Sequence, residues 1–182
     1  MSDAAEKLMS VDEFLAWAEG REGKWELHDG RVVAMAPEMA VHARVKAYAA
    51  AALISALRRK GGGCGVYADG LAVRIAGRRT FVPDVLVTCP PTPNRTLETT
   101  TPLIVVEVLS PSTAAFDHGA KLEGYFSLPS LAHYLLIDPD RRVVILHSRG
   151  REGVIETRIL RDGEVKLDPP GLAFAFDELF AD

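Results

Sequence analysis

Two acidic residues stand inside otherwise apolar segments of the chain. Asp84 lies in the run 81–87, FVPDVLV, and Glu107 lies in the run 102–110, PLIVVEVLS. Each run is apolar on both faces, which predicts a strand in the middle of a covered sheet. Burying an ionised carboxylate is costly unless a partner or a metal ion compensates its charge. The pair therefore favours a divalent metal ion bound by Asp84 and Glu107.

The two acids differ in how well a purely structural role would explain them. Asp84 follows Pro83 and could simply end a turn. Glu107 has no such alternative, because a structural acid inside the second run would still require a buried cation. Glu107 is therefore the most informative residue of the sequence.

The type of metal follows from the donor atoms. Adjacent strands lie about 5 Å apart, so one ion can bridge a carboxylate on each strand. Ligation by carboxylate oxygens alone suits Mg²⁺ or Mn²⁺, which retain several bound water molecules. We expect one of these two ions at Asp84 and Glu107.

The segments before the acids have clear local signals. Ser10 and Glu13 form a capping box that predicts a short helix through Trp17. The Asp29-Gly30 pair between segments 24–28 and 31–35 predicts a β-hairpin. Helical spacing of apolar residues over 38–60 predicts the longest helix of the chain.

The remaining elements complete a mixed pattern. A proline- and threonine-rich loop at 90–101 is predicted to have no regular structure, and a helix is expected over 114–128. Further strands are predicted at 66–68, 71–75, 131–137, 142–147, 154–160 and 165–167. No internal repeat or linker interrupts this order. A single α+β domain over residues 1–182, with a mixed sheet, is the expected architecture.

Composition narrows the possible functions. The 182 residues carry a net charge of -4, which argues against a protein that coats nucleic acid electrostatically. No apolar run approaches the roughly 20 residues of a membrane span. The N-terminus lacks the order of a secretory signal, so no membrane association and a cytoplasmic location are expected.

Sequence motifs of other enzyme classes are absent. The sequence contains no phosphate-binding P-loop, no dinucleotide-binding glycine motif and no nucleophile elbow. Cys64 and Cys89 form no C-x-x-C pair, and we expect both to be free thiols.

Several motifs along the chain occur in a characteristic order. They are Trp25-Glu26-Leu27 with Asp29-Gly30, Pro83-Asp84, the segment VEVLSPS at 106–112, the residues Asp117, Lys121 and Tyr125, the segment HYLLIDP at 133–139, and DELF at 177–180. In this combination, the chain resembles the Uma-two family of restriction-endonuclease-like proteins, which belongs to the PD-(D/E)XK nuclease superfamily. The resemblance covers nearly the whole chain. It implies a restriction-endonuclease-like core with an N-terminal helix and hairpin and a C-terminal β extension.

The resemblance also implies a catalytic mechanism. A member of this superfamily is expected to be a metal-dependent phosphodiesterase, with Asp84 and Glu107 as its acids. The superfamily's lysine normally follows the glutamate by two residues, but that position is Leu109 here. The resemblance to the Uma-two family implies that Lys121 on the following helix replaces it.

The supporting residues have two interpretations each. Asp117, Lys121 and Tyr125 recur every four residues and would share one helix face, but Lys121 could instead pair with Asp117 on a solvated surface. Glu26 and His42 also match the family's pattern and could reach the metal or a phosphate. Glu26 could equally face solvent, and a lone histidine near a helix start is more often structural.

Two functions follow. The first is a divalent-metal-dependent DNA endonuclease acting on duplex DNA, since stacking platforms for single strands are not evident. A homodimer would supply two sites for cutting both strands. The alternative is a non-catalytic nucleic-acid-binding or interaction protein that retains the fold, which Leu109 and the acidic net charge favour.

Overall fold

A six-stranded mixed sheet forms the centre of the fold. The computed structural model describes residues 8–110 and 118–180. The central sheet has the strand order β11-β10-β9-β8-β6-β3, in which β8 and β9 are parallel and the other neighbours are antiparallel. Its strands are β3 (Gly65–Ala68), β6 (Val85–Thr88), β8 (Ile104–Val108), β9 (His133–Asp138), β10 (Val143–Arg149) and β11 (Ile155–Leu160).

A second sheet of five strands and a C-terminal hairpin accompany the central sheet. The second sheet has the order β2-β1-β5-β4-β7. Its strands are β1 (Trp25–His28), β2 (Arg31–Ala34), β4 (Ala72–Ile75), β5 (Arg79–Phe81) and β7 (Glu98–Thr99). The hairpin consists of β12 (Glu164–Leu167) and β13 (Leu172–Ala175), followed by a 3-10 turn at Phe176–Leu179.

Three α-helices lie within the described residues: α1 (Val11–Ala18), α2 (Ala40–Lys60) and α3 (His118–Phe126). Helix α2 and the C-terminal hairpin cover one face of the central sheet and form its larger core. Helix α3 packs on the other face, in a core that includes Phe81 of the second sheet. Because both faces are covered, β6 is buried along its whole length, as its apolar sequence predicts.

The local signals near the N-terminus are confirmed. Ser10 and Glu13 exchange both bonds of a capping box at the start of α1. Asp29 and Gly30 have φ angles of 49° and 87°, as a two-residue hairpin turn requires. Helix α2 ends at Gly61, whose φ of 74° is the left-handed conformation that glycine adopts without a steric penalty.

The run 81–87 is divided between the two sheets. Strand β5 ends at Phe81 and β6 begins at Val85, so the prediction of one continuous strand is wrong. Pro83 lacks a backbone N–H and cannot continue a ladder on both sides. The resulting bend places Asp84 at the start of β6.

Two further features differ from the expectations, and one expectation lies partly outside the described residues. Part of the loop 90–101 is ordered as β7, which pairs with β4, because Arg74 binds the Glu98 carboxylate at 2.9 Å. Strand β13 was not predicted and is paired with β12. The predicted helix over 114–128 is described only from residue 118, and Asp117 lies outside the described residues.

Cys64 and Cys89 form a disulfide, so the expectation of two free thiols is wrong. Strands β3 and β6 are antiparallel, and Gly65 pairs with Thr88. Cys64, just before Gly65, therefore lies opposite Cys89, just after Thr88. Only this long-range register brings the two sulfur atoms together.

The helices of the described ranges are all too short or too polar to cross a bilayer.

Candidate active site

A cavity of about 320 Å³ opens between the second sheet, α2, α3 and the ends of β8 and β9. Its lining is rich in ionisable side chains from segments far apart in sequence. They are Glu26, Glu38, His42, Lys46, Asp84, Glu107 and Lys121.

Asp84 is buried immediately before the first residue of β6, beside the neighbouring strand β8. The pairing of Val85 with Val106 brings Asp84 and Glu107 to the same end of two adjacent strands, as predicted. Oδ2 of Asp84 accepts a hydrogen bond from the Val108 N–H at 2.6 Å, and Oδ1 lies 2.6 Å from Lys46 Nζ. Burial raises the pKa of Asp84, although the positive charge of Lys46 opposes that rise.

Glu107 is the next-to-last residue of β8, and its side chain contacts helix α3. Its Oε1 accepts a hydrogen bond from the Tyr125 hydroxyl at 2.8 Å and lies 3.2 Å from Lys121 Nζ. Burial raises the pKa of Glu107 to about 7, with the negative charges of Asp84 and Glu26 adding to the rise and Lys121 opposing it. The carboxyl therefore changes its charge close to neutral pH.

Lys121 is 7% exposed, so it does not lie on a solvated helix face. Its ammonium lies 3.0 Å from Glu26 Oε1 and above the Phe81 ring, at 5.6 Å from the ring centre. Tyr125 follows one turn later on α3, and both side chains reach Glu107. Helix α3 thus directs a lysine and a tyrosine at the same carboxylate.

Glu26 is buried, which contradicts the alternative that it faces solvent on an exposed strand. Its Oε1 accepts the Val82 N–H at 2.9 Å, and its Oε2 lies 2.8 Å from His28 Nε2. Burial alone would raise the pKa of Glu26, but the bond to His28 and the charge of Lys121 outweigh it and the pKa is lowered. Glu26 therefore remains a carboxylate that holds Lys121 in place.

Lys46, which was not among the predicted site residues, lies on the buried side of α2. Its Nζ contacts Glu38 Oε1 at 2.5 Å, Asp84 Oδ1 at 2.6 Å and Asp69 Oδ1 at 3.0 Å. Lys46 falls at the spacing of the buried Ala49 and Leu53. A lysine in an apolar helix stripe requires a buried partner, and this signal could have identified it.

His42 also faces the cavity, one turn before Lys46 on α2. It is 4% exposed, and its Nε2 is buried with no hydrogen-bond partner among the described residues. Carboxylate oxygens and a neutral imidazole nitrogen are suitable ligands for Mn²⁺, and the carboxylates alone are suitable for Mg²⁺. The donor set therefore fits a divalent cation.

The helices and mixed sheets define an α+β protein that carries a buried carboxylate–lysine cluster. A crystal structure from Anabaena variabilis ATCC 29413, described as "a putative nuclease belonging to DUF820", superposes with a TM-score of 0.74. That structure is 18% identical and covers 95% of this chain, while the match spans 98% of that chain. This similarity concerns the fold alone, and it confirms the predicted α+β fold with a mixed sheet.

The chain belongs to the Uma2 family, described as "Putative restriction endonuclease", whose model matches residues 11–179. Two uncharacterized proteins of Synechocystis sp. are similar to it. Protein slr1290 is 32% identical over 177 residues, which cover 94% of this chain and 91% of that protein. Protein sll1609 is 30% identical over 139 residues, which cover 74% of this chain and 77% of that protein.

Proposed function

We propose that this chain is a divalent-metal-dependent DNA endonuclease that hydrolyses phosphodiester bonds. The observation that carries the proposal is the meeting of Lys121 with Glu107 and Glu26 in the cavity that Asp84 also lines. A carboxylate pair on adjacent strands with a lysine beside it is the constellation expected for this chemistry. Family membership and the nuclease-like fold support the same function.

In this proposal Asp84 and Glu107 hold the Mg²⁺ or Mn²⁺ ion. When bound, the ion polarises the scissile phosphate and lowers the pKa of the attacking water. Lys121 takes the place of the strand lysine that is absent at Leu109, and its ammonium stabilises negative charge that develops on the phosphate. Glu26 and Tyr125 are positioning residues, because they hold Lys121 and Glu107 by direct hydrogen bonds.

The proposed substrate is duplex DNA, and cutting both strands would require two copies of the site. We include a homodimer in the proposal because it would supply these two copies. Asp117 stands four residues before Lys121 in the sequence, and a supporting role for it is part of the proposal.

Plasmid cleavage with Mn²⁺ or Mg²⁺ tests the function. We expect Glu107→Gln and Lys121→Met each to lower the cleavage rate by at least about 10²-fold, the usual effect of removing one such group. Glu164→Gln and Lys166→Met are matched controls, because this ion pair is exposed on β12. Cleavage that survives undiminished in Glu107→Gln would contradict the proposal.

One observation favours the non-catalytic alternative. Both acids of the proposed metal pair already contact a lysine, Asp84 through Lys46 and Glu107 through Lys121. A site neutralised by its own lysines could bind DNA or a protein without a metal. DNA binding that persists in EDTA, together with no Mn²⁺ binding in calorimetry, is the expected result for this function.

A further inference from the structure

Strand β11 is an uncovered edge of the central sheet. It pairs with β10 on one side and ends the strand order on the other. Alternate residues of an antiparallel edge strand direct their backbone N–H and C=O groups away from the neighbouring strand. No described residue hydrogen-bonds to these outward groups of β11. The central sheet therefore ends in a row of backbone donors and acceptors that a further strand could use.

The sequence of β11 lacks most of the features that protect such an edge. Proteins blunt exposed edges with proline, lysine, bulges or very short strands. Strand β11 has the sequence IETRIL, and all six residues pair with β10 in an unbroken register. Ile159 is 63% exposed, Ile155 is 37% exposed, and Val154 just before the strand is 57% exposed. Exposed apolar side chains beside an open edge indicate a surface for association.

A second copy of β11 is complementary to this edge in an antiparallel register. A two-fold axis perpendicular to the sheet makes the two strands antiparallel and places opposite each other residues that face the same side. With the axis at Thr157, Glu156 lies opposite Arg158 of the second copy, and this pair occurs twice per dimer. On the other face of the sheet, Ile155 lies opposite Ile159 of the second copy. Both the charged and the apolar cross-strand pairs are then favourable.

The neighbouring registers bring like charges together. An axis at Glu156 places this glutamate opposite its own copy, and an axis at Arg158 does the same for the arginine. Like charges directly opposite each other destabilise a strand pair. Within the described part of the chain, neither residue forms an ion pair that would neutralise it. The charges of β11 therefore select the register that is centred on Thr157.

We propose that two copies of this chain associate through β11, with the strands antiparallel and centred on Thr157, and join their central sheets into one continuous sheet. This interface provides a surface for the homodimer included in the proposed function. It rests on β11 alone, and the residues that line the cavity include none of this strand. The inference therefore stands whether or not the chain cleaves DNA.

Reversing the charges of β11 tests the pairing, with the oligomeric state measured by sedimentation equilibrium. We expect the wild type to be a dimer at micromolar concentration. Glu156→Arg and Arg158→Glu each oppose like charges twice per dimer, so each should raise the dissociation constant by about tenfold or more. An equimolar mixture of the two variants should form heterodimers with near wild-type affinity, because every substituted side chain then faces an opposite charge. The double variant Glu156→Arg/Arg158→Glu should dimerise for the same reason.

Ile159→Lys tests the apolar face of the pairing. It places an ammonium group opposite Ile155 twice per dimer and is expected to yield monomers. Leu97→Lys is the matched control, because Leu97 is 53% exposed and lies outside β11. Glu164→Arg is the control for charge reversal, since its side chain is 52% exposed on β12. Both controls should dimerise like the wild type, and circular dichroism should show that all variants are folded.

A wild type that stays monomeric throughout the micromolar range would overturn the inference. A dimer that neither Ile159→Lys nor the two charge reversals weaken would also overturn it, because the copies would then associate through another surface. Glu107→Gln should dimerise like the wild type, since Glu107 lies in the cavity and not on β11. Absence of DNA cleavage in a chain that dimerises through β11 contradicts the proposed function alone, so the two proposals can fail separately.

Discussion

Glu107 is the residue where burial and charge oppose each other most directly. Burial raises its pKa, and the carboxylates of Asp84 and Glu26 raise it further. Lys121 and the Tyr125 hydroxyl stabilise the ionised form. The balance leaves a pKa of about 7, well above the ordinary value of a glutamate.

The raised pKa predicts that metal binding weakens as the pH falls. When the pH is below the Glu107 pKa of about 7, this carboxyl is mostly protonated in the folded chain. A protonated carboxyl does not bind a metal. We expect Mn²⁺ affinity to fall by about tenfold between about pH 8 and about pH 6, with proton release on binding. Calorimetry in buffers of different ionisation enthalpy measures both quantities.

The control for this pH dependence is Glu107→Gln. Any affinity that remains in that variant should vary little over the same pH interval, because the titrating carboxyl is gone. A wild-type affinity that is equal at both pH values would show that Glu107 is not the titrating ligand.

Among the secondary-structure elements, α3 packs closely against the second sheet at Gly124. A Cβ atom at Gly124 would lie 2.9 Å from Cε2 of Phe81 and 3.6 Å from Ile75. Phe81 is fully buried and Lys121 lies above its ring. Glycine at position 124 therefore sets the distance at which α3 presents Lys121 and Tyr125 to the acids.

Gly124→Ala is expected to destabilise the fold by about 1–2 kcal/mol, because overpacking outweighs the better helix propensity of alanine. Gly119→Ala in the same helix is the control, since no described atom lies within 4 Å of the added methyl group. It should be neutral or stabilising by up to about 1 kcal/mol. Urea unfolding measures both changes, and equal stability of the two variants would contradict the packing argument.

At the scale of the whole molecule, the larger core joins α2, the central sheet and the C-terminal hairpin. Leu167 of the hairpin is fully buried in this core, whereas Leu97 is 53% exposed. Trp17 and Trp25 lie in a separate small cluster near the N-terminus. Tryptophan fluorescence therefore reports on the N-terminal cluster, which is separate from the C-terminal hairpin.

If residues 1–182 form one domain, Leu167→Ala should lower the stability of the entire chain. The expected cost is about 2–5 kcal/mol, against less than about 0.5 kcal/mol for Leu97→Ala. Tryptophan fluorescence and circular dichroism should report the same unfolding transition in urea. Two separate transitions, with the fluorescence midpoint unchanged in Leu167→Ala, would show that the hairpin folds independently.

Much of the fold was predictable because its signals are local. The capping box at Ser10, the Asp29-Gly30 turn and the apolar spacing of α2 act within a few residues through backbone preferences and helix geometry. The predicted adjacency of Asp84 and Glu107 is confirmed by the pairing of Val85 with Val106. The runs 81–87 and 102–110, each apolar on both faces and each containing one acid, were sufficient to indicate that the two acids lie on adjacent strands.

Only the tertiary structure decided which cations meet these acids. Lys121 lies 14 positions after Glu107, and that spacing does not determine where a helix directs its side chains. The Lys46–Asp84 contact and the Cys64–Cys89 disulfide likewise join segments that no local pattern relates. Local patterns specify individual elements, whereas charge compensation in the cavity depends on how α2 and α3 pack against two different sheets.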